Sequence, residues 1–160
     1  MKFFKILWLL VVVGLLSLPA LAQGSAKVVR VSPGESVYQI KRGGTTQIAV
    51  KIDVDEGYHI NSNRPAEKYL IATSLKLDRA AGLTTTPVVY PRAKLQKFEF
   101  SKKPLSVFEG KMVLKFTAHA LTSLSAGHHA LTGKLTVQAC NSQQCLRPQT
   151  VDVSIQLKVE

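Results

Sequence analysis

Two thiols carry the reactive chemistry of this 160-residue chain, Cys140 and Cys145, within the run Gln138-Ala139-Cys140-Asn141-Ser142-Gln143-Gln144-Cys145-Leu146-Arg147-Pro148. A pair five positions apart can close a short hairpin, or it can exchange its bond with a foreign disulfide. As a staple it is inefficient: on the loop-entropy model a bridge over so short a loop contributes about 2 kcal/mol, against about 4 kcal/mol for a loop of ~60 residues. Exposed pairs in an oxidising compartment are the labile, exchange-competent ones. From the residues alone, hairpin clip and redox site both stay open. Two cysteines and four histidines fall short of a zinc-finger or zinc-ribbon pattern.

The elements that must position this pair begin after a leader. Lys2 and Lys5 precede an apolar run from Ile6 to Leu16, and Pro19 precedes the small-x-small site Ala20-Leu21-Ala22. This is the layout of a secretory signal peptide, with cleavage expected after Ala22, and the run is shorter than the ~20 residues of a bilayer span. The expected mature domain is 23–160. The single Trp, Trp8, leaves with the leader, and the absence of Cys after the cleavage site argues against a lipoprotein anchor.

Over the mature chain the dominant pattern alternates with period two, which places side chains on opposite faces of a sheet. Ile48, Val50, Ile52 and Val54 share one face, as do Met112, Leu114, Phe116 and Ala118. Leu131, Gly133, Leu135, Val137 and Ala139 share another, and Val151, Val153, Ile155, Leu157 and Val159 a fourth. Shorter strands are expected at Lys27 to Val31, Val37 to Ile40, Ser74 to Leu77 and Val88 to Tyr90, with Gly- and Pro-bearing turns between them. No helical stripe is evident, and Ala66 to Ala72 has room for a turn or two at most. About eight strands, each wet on one face, must bury the other against a second sheet, so the fold class is all-β, an immunoglobulin-like antiparallel β-sandwich. The bridge of an immunoglobulin domain joins its two sheets across many residues and packs on a Trp; the pair here does neither. By strand parity Cys140 falls on the face of Thr136 and Gln138 and is expected to be accessible, unless a bulge intervenes.

The charge is formally +11, but the Lys and Arg are scattered and an exported protein rarely meets nucleic acid, so nucleic-acid binding is excluded as a leading reading. Adjacent residues of a strand point to opposite faces, so His128-His129 is read as a polar loop rather than a chelate. Paired catalytic carboxylates, a glycine-rich phosphate loop and a Ser-His-Asp arrangement are absent from the pattern, and a hydrolase is unsupported.

Several stretches together resemble the amino-terminal periplasmic domain of the thiol:disulfide interchange protein DsbD: Glu56-Gly57-Tyr58-His59-Ile60-Asn61-Ser62, Val89-Tyr90-Pro91, Val107-Phe108-Glu109-Gly110-Lys111, and Gln138-Ala139-Cys140 with Cys145 and Pro148. The resemblance spans about Pro33 to Leu157, and its most specific part is the cysteine pair with its preceding Gln-Ala and following Pro. It implies an immunoglobulin-like sandwich carrying an exchange-active dithiol, a protein-disulfide reductase component. Such a domain takes electrons from a membrane thiol reductase and passes them to periplasmic thioredoxin-fold proteins, among them disulfide isomerases and cytochrome c maturation proteins. It implies no metal and no organic cofactor. It also implies that Cys145 bonds to the downstream partner while Cys140 resolves. The family protein continues into a membrane domain and a thioredoxin-like domain, whereas this sequence stops at Glu160, so separately encoded partners are expected.

The resemblance further implies an aromatic cap loop over the cysteines, here Lys97-Phe98-Glu99-Phe100-Ser101-Lys102-Lys103, with Phe98 or Phe100 as the shielding ring. Ordinary core residues at a strand edge fit the same alternation. Glu99 is a candidate proton acceptor for a thiol or else a solvated carboxylate. Arg147 and the cap lysines Lys102 and Lys103 are candidates for lowering a thiol pKa. Tyr58 and His59 either line the site or are ordinary strand-end residues. The rival from another functional class is a non-catalytic immunoglobulin-like binding or scaffolding module with a structural hairpin disulfide.

Overall fold

The computed structural model describes residues 24–160; the leader expected over 1–22 and its cleavage site lie outside the described residues. In chain order the strands are β1 (Val29–Pro33), β2 (Tyr38–Ile40), β3 (Thr45–Val54), β4 (His59–Asn61), β5 (Ser74–Leu77), β6 (Leu83–Thr85), β7 (Lys94–Gln96), β8 (Leu105–Phe108), β9 (Lys111–Ala120), β10 (Gly127–Val137), β11 (Ala139–Cys140) and β12 (Gln149–Val159). Among the described residues the one helical element is a 3-10 turn at Ser25–Lys27, and no helix is long and apolar enough to cross a membrane.

The long alternating strands build two facing sheets, in the orders β1-β3-β9-β6 and β2-β12-β10-β5. Register brings apolar side chains opposite one another: Ile48 meets Phe116, Val50 meets Leu114 and Ile52 meets Met112 in the first sheet, and Leu131 meets Ile155 in the second. These residues belong to a single buried core between the sheets. Directly opposed pairs on one face are the unit of sheet stabilisation. Gly133 is required by packing, since a Cβ there would stand 2.6 Å from the Lys76 carbonyl oxygen of the neighbouring strand. All strand pairs are antiparallel except β2 with β12. The chain is an all-β, antiparallel-rich sandwich of immunoglobulin-like type.

A third sheet, in the order β11-β4-β8-β7, departs from the expected count of about eight strands in two layers. The chain leaves β10 at Val137 and, after Gln138 alone, enters β11 beside β4. Ile60, Phe108 and Ala139 of this sheet join the main core. On the opposite face Leu105 and Val107 form a separate cluster with Leu70 and Phe98. β11, β4 and β8 are therefore covered on both sides, whereas the edge strand β7 is exposed. Val88 to Tyr90 is not a strand; its pairing is the isolated bridge of Val89 with Lys115. Residues 66–72 are not helical either: a turn closed by the Leu70 amide on the Glu67 carbonyl, 3.2 Å, folds Leu70 into the smaller cluster.

Candidate redox site

The cysteines sit at the two ends of a tight hairpin. Cys140 and Cys145 face each other across an antiparallel bridge, bonded, with their Cα atoms 3.8 Å apart. Inside the bond the Asn141 amide donates to the Gln144 carbonyl at 2.9 Å, and outside it the Leu146 amide donates to the Ala139 carbonyl at 2.7 Å. The Asn141 side-chain oxygen accepts from the amides of Gln143 and Gln144, at 2.9 and 2.8 Å, a local turn of the kind Asn is suited to. Backbone hydrogen bonds thus close the hairpin independently of the sulfurs.

Its base is fixed from a distance in sequence. The Ser25 hydroxyl, fully buried, accepts from the Ala139 amide at 2.9 Å and donates to the Arg147 carbonyl at 2.8 Å. The Gln138 side-chain oxygen accepts from the Asn61 amide group and the Ile71 backbone amide, both at 3.1 Å, tying the hairpin to β4 and to the loop after it.

Cys140 and His59 are directly opposed on β11 and β4, so their side chains leave the sheet on the same face. That face is roofed. The Phe98 ring stacks on the His59 ring, centroids 4.0 Å apart and planes 19° from parallel, and Phe100 stacks on Phe98 at 5.4 Å. Both phenylalanines come from the loop 97–104 joining β7 to β8, where the Ser101 amide closes a turn on the Phe98 carbonyl at 3.1 Å. Phe98 is 8% exposed and Phe100 36%; Cys140 is fully buried and Cys145 half-buried. The expected accessibility of Cys140 is therefore corrected. Parity is kept, because Ala139 points into the main core and Cys140 does not, but the outer face at β11 is covered instead of wet.

Burial drives the His59 pKa from its ordinary 6.5 down to about 4, opposed by the negative charge of Glu109. The unfolded chain takes up a proton below about pH 6.5 that the folded chain refuses until about pH 4. Stability is therefore complete at neutral pH and declines as pH falls through that window. Between pH 7 and pH 4.5 the wild type is expected to lose on the order of 2 kcal/mol more than His59→Phe, measured by chemical denaturation at both pH values.

The other candidates are more dispersed. Tyr58 is half-buried against the main core, and its amide closes the Asp55 turn at 3.1 Å where Gly57 adopts φ 79°. Glu99 is exposed and lines, with Tyr58, His59, Phe98, Glu109 and Ser142, a cleft of about 860 Å³ beside the hairpin. Arg147 is exposed and is tied to the site through its carbonyl. Lys102 and Lys103 are exposed, with Lys103 paired to Glu67 at 3.7 Å. Sequence reasoning missed Ser25, for which no local signal exists. It also missed Glu109, which lies in the Val107 to Lys111 stretch and pairs with Lys94 at 3.5 Å. Among the described residues no cluster of His, Cys, Asp and Glu is arranged to hold a metal ion.

Residues 28–157 match the family described as thiol:disulfide interchange protein DsbD, N-terminal. The chain belongs to this family. Among solved structures, this DsbD N-terminal domain is similar to the N-terminal periplasmic domain of ScsB from Proteus mirabilis, at TM-score 0.50 and 15% identity, covering 81% of this chain and 45% of that one. At that identity the likeness shows a shared fold, and the chain spans less than half of that structure's length. More remote likenesses include the periplasmic chaperone SfaE, at TM-score 0.33 and 13% identity over 82% of this chain and 56% of that one. The major pilin subunit BcpA of Bacillus cereus follows at TM-score 0.38 and 7% identity, over 82% and 40%. A search of curated proteins finds no match. With the family established, the chain is a thiol-disulfide exchange domain, and it carries a disulfide-bonded cysteine pair, Cys140 and Cys145.

Proposed function

We propose that this DsbD N-terminal domain is an exported electron relay, working in the periplasm after cleavage of its leader behind Ala22. Its Cys140/Cys145 dithiol passes electrons from a membrane thiol reductase to periplasmic thioredoxin-fold proteins. The observation that carries this reading is the hairpin whose backbone bonds already close it. A disulfide that is not needed to hold its own loop can open and re-form without refolding the domain.

In the forward direction the Cys145 thiolate attacks one sulfur of the partner's disulfide, and that bond breaks to release the partner's other sulfur as a thiolate. Cys140 then attacks the Cys145 sulfur of the mixed disulfide, re-forming the intramolecular bond and releasing the partner's second thiol. Two electrons and two protons leave the domain, and the partner ends as a dithiol. The membrane reductase restores the starting state by the reverse chemistry. No metal or organic cofactor enters the balance. Half-buried Cys145 supports the assignment of attack to that residue, and the roof over Cys140 supports its part as resolving thiol.

Equilibration of the purified domain with glutathione and thioredoxin couples tests the reading. The expected reduction potential lies in the range of thioredoxin-fold proteins, about −120 to −270 mV; a value below about −300 mV would be that of a structural clip. That result would replace the relay with a non-catalytic binding module.

A further inference from the structure

We propose that His59 is the hydrogen-bond acceptor for the Cys140 thiol in the reduced domain, holding Cys140 as the protonated, resolving cysteine and favouring the dithiol over the disulfide. This inference deepens the electron-relay reading and rests on it.

The argument starts from an atom without a partner. His59 is 2% exposed, and its Nε2 is buried with no hydrogen bond among the described residues. Buried polar atoms are nearly always paired, and an unpaired one calls for an account. Here the account lies in what faces it. Directly opposed residues of an antiparallel pair have Cβ atoms about 5 Å apart on one face, and the residue opposed to His59 is Cys140. As half of a disulfide its sulfur carries no proton. Reduction adds two electrons and two protons to the pair and turns that sulfur into an S–H donor.

Burial keeps the ring neutral, and a neutral imidazole has one acceptor nitrogen. The Phe98 ring lies on the imidazole and shields it from solvent competition. The charge that reaches His59 is that of Glu109 on the turn after β8, while Glu99 and Tyr58 line the same cleft beside the hairpin as His59 and Phe98. A second unpartnered atom, the Asn61 side-chain oxygen, lies on the same strand. Its amide group is fixed by donation to Ile71 and Gln138, and its backbone bonds to Gln138 rather than Cys140. His59 is the unpartnered group that meets a cysteine.

A thiol held on a neutral acceptor stays protonated, so the thiolate forms first at half-exposed Cys145. In the resolving step the Cys140 proton moves along its hydrogen bond to Nε2 as the sulfur attacks Cys145. The leaving partner thiolate takes that proton, and His59 ends neutral.

The test compares the wild type with His59→Phe, which keeps the stack and removes the acceptor, and His59→Gln, which keeps an acceptor and removes the ring. In glutathione buffers His59→Phe is expected to lower the dithiol-to-disulfide ratio about tenfold, equivalent to about 30 mV for a two-electron couple, with His59→Gln restoring most of it. In the wild type the 15N resonance of Nε2 is expected to shift on reduction. A folded His59→Phe protein within twofold of wild type, equal losses in both variants, or an Nε2 resonance unchanged by reduction would each overturn the proposal. A wild-type disulfide that glutathione cannot reduce would sink the relay reading instead, and the imidazole spectrum after reduction by dithiothreitol would still decide the role of His59.

Discussion

Cys140→Ser is expected to stop the relay at its mixed disulfide, leaving Cys145 bonded to the partner in the native envelope. Once Cys145 has attacked, release of the partner needs a second thiol beside the new bond. Cys140 alone stands there, opposite Cys145 across the hairpin. Serine keeps the shape of the site and cannot break a disulfide, so the complex persists. Cys145→Ser leaves as its one thiol a fully buried group beneath Phe98 and His59, which a folded partner reaches only when the roof opens. Little or no complex is expected from it. In both variants turnover falls to background, because neither can re-form the intramolecular bond whose formation expels the partner. The measurement is alkylation of cells in acid, separation without reductant and mass spectrometry of the bands that collapse on reduction. Complexes from Cys145→Ser alone would reverse the order of attack. None from either variant would remove the partner-facing role.

The sequence is legible where one strand face is wet. β3, β9, β10 and β12 each run ten or eleven residues, and their alternation is what two facing sheets require. The third sheet is illegible for a physical reason. His59, Ile60 and Asn61 are all buried, as are Ala139 and Cys140, because the main core lies on one side and the roof on the other. A strand covered on both faces shows no period of two, and at two or three residues it offers too little length to show any. This sheet holds the cysteine and the histidine. The accessibility expected for Cys140 failed for the same reason: parity gives the face, whereas cover depends on a loop more than thirty residues earlier. Ser25 is more distant still, 114 positions from the amide it holds. No local pattern announces such a contact. The resemblance to the DsbD domain singled out the short stretches around His59, Val107 and Cys140, which periodicity did not, and left open whether Tyr58 and His59 line the site.

The roof makes its own prediction, one that separates the two phenylalanines. A small dithiol reaches Cys140 only in the fraction of molecules in which loop 97–104 is lifted, and attack at half-buried Cys145 expels Cys140 as a thiolate that the closed roof leaves unsolvated, so the reduction rate follows the free energy that holds the loop down. Phe98 contributes most of that hold, since its ring lies on His59 and packs with Leu70, Leu105 and Val107. Truncation of a core Phe to Ala costs about 3–5 kcal/mol, and the loop can recover part of this by collapsing onto the gap. A remaining loss of about 2 kcal/mol raises the lifted fraction, and with it the rate of reduction by dithiothreitol, about 30-fold in Phe98→Ala. Phe100 is 36% exposed and touches Phe98 from outside, so Phe100→Ala is expected to change the rate about twofold, in line with surface substitutions. Neither change touches the core between the two large sheets, so cooperative unfolding at neutral pH should remain in both variants. Stopped-flow reduction followed by thiol labelling reads the rates directly. Equal, small effects from the two variants would mean that the loop is an ordinary strand connection and that access to Cys140 is governed elsewhere. A large effect from Phe100 alone would move the cover to the outer ring, with His59 and Phe98 acting as its fixed floor.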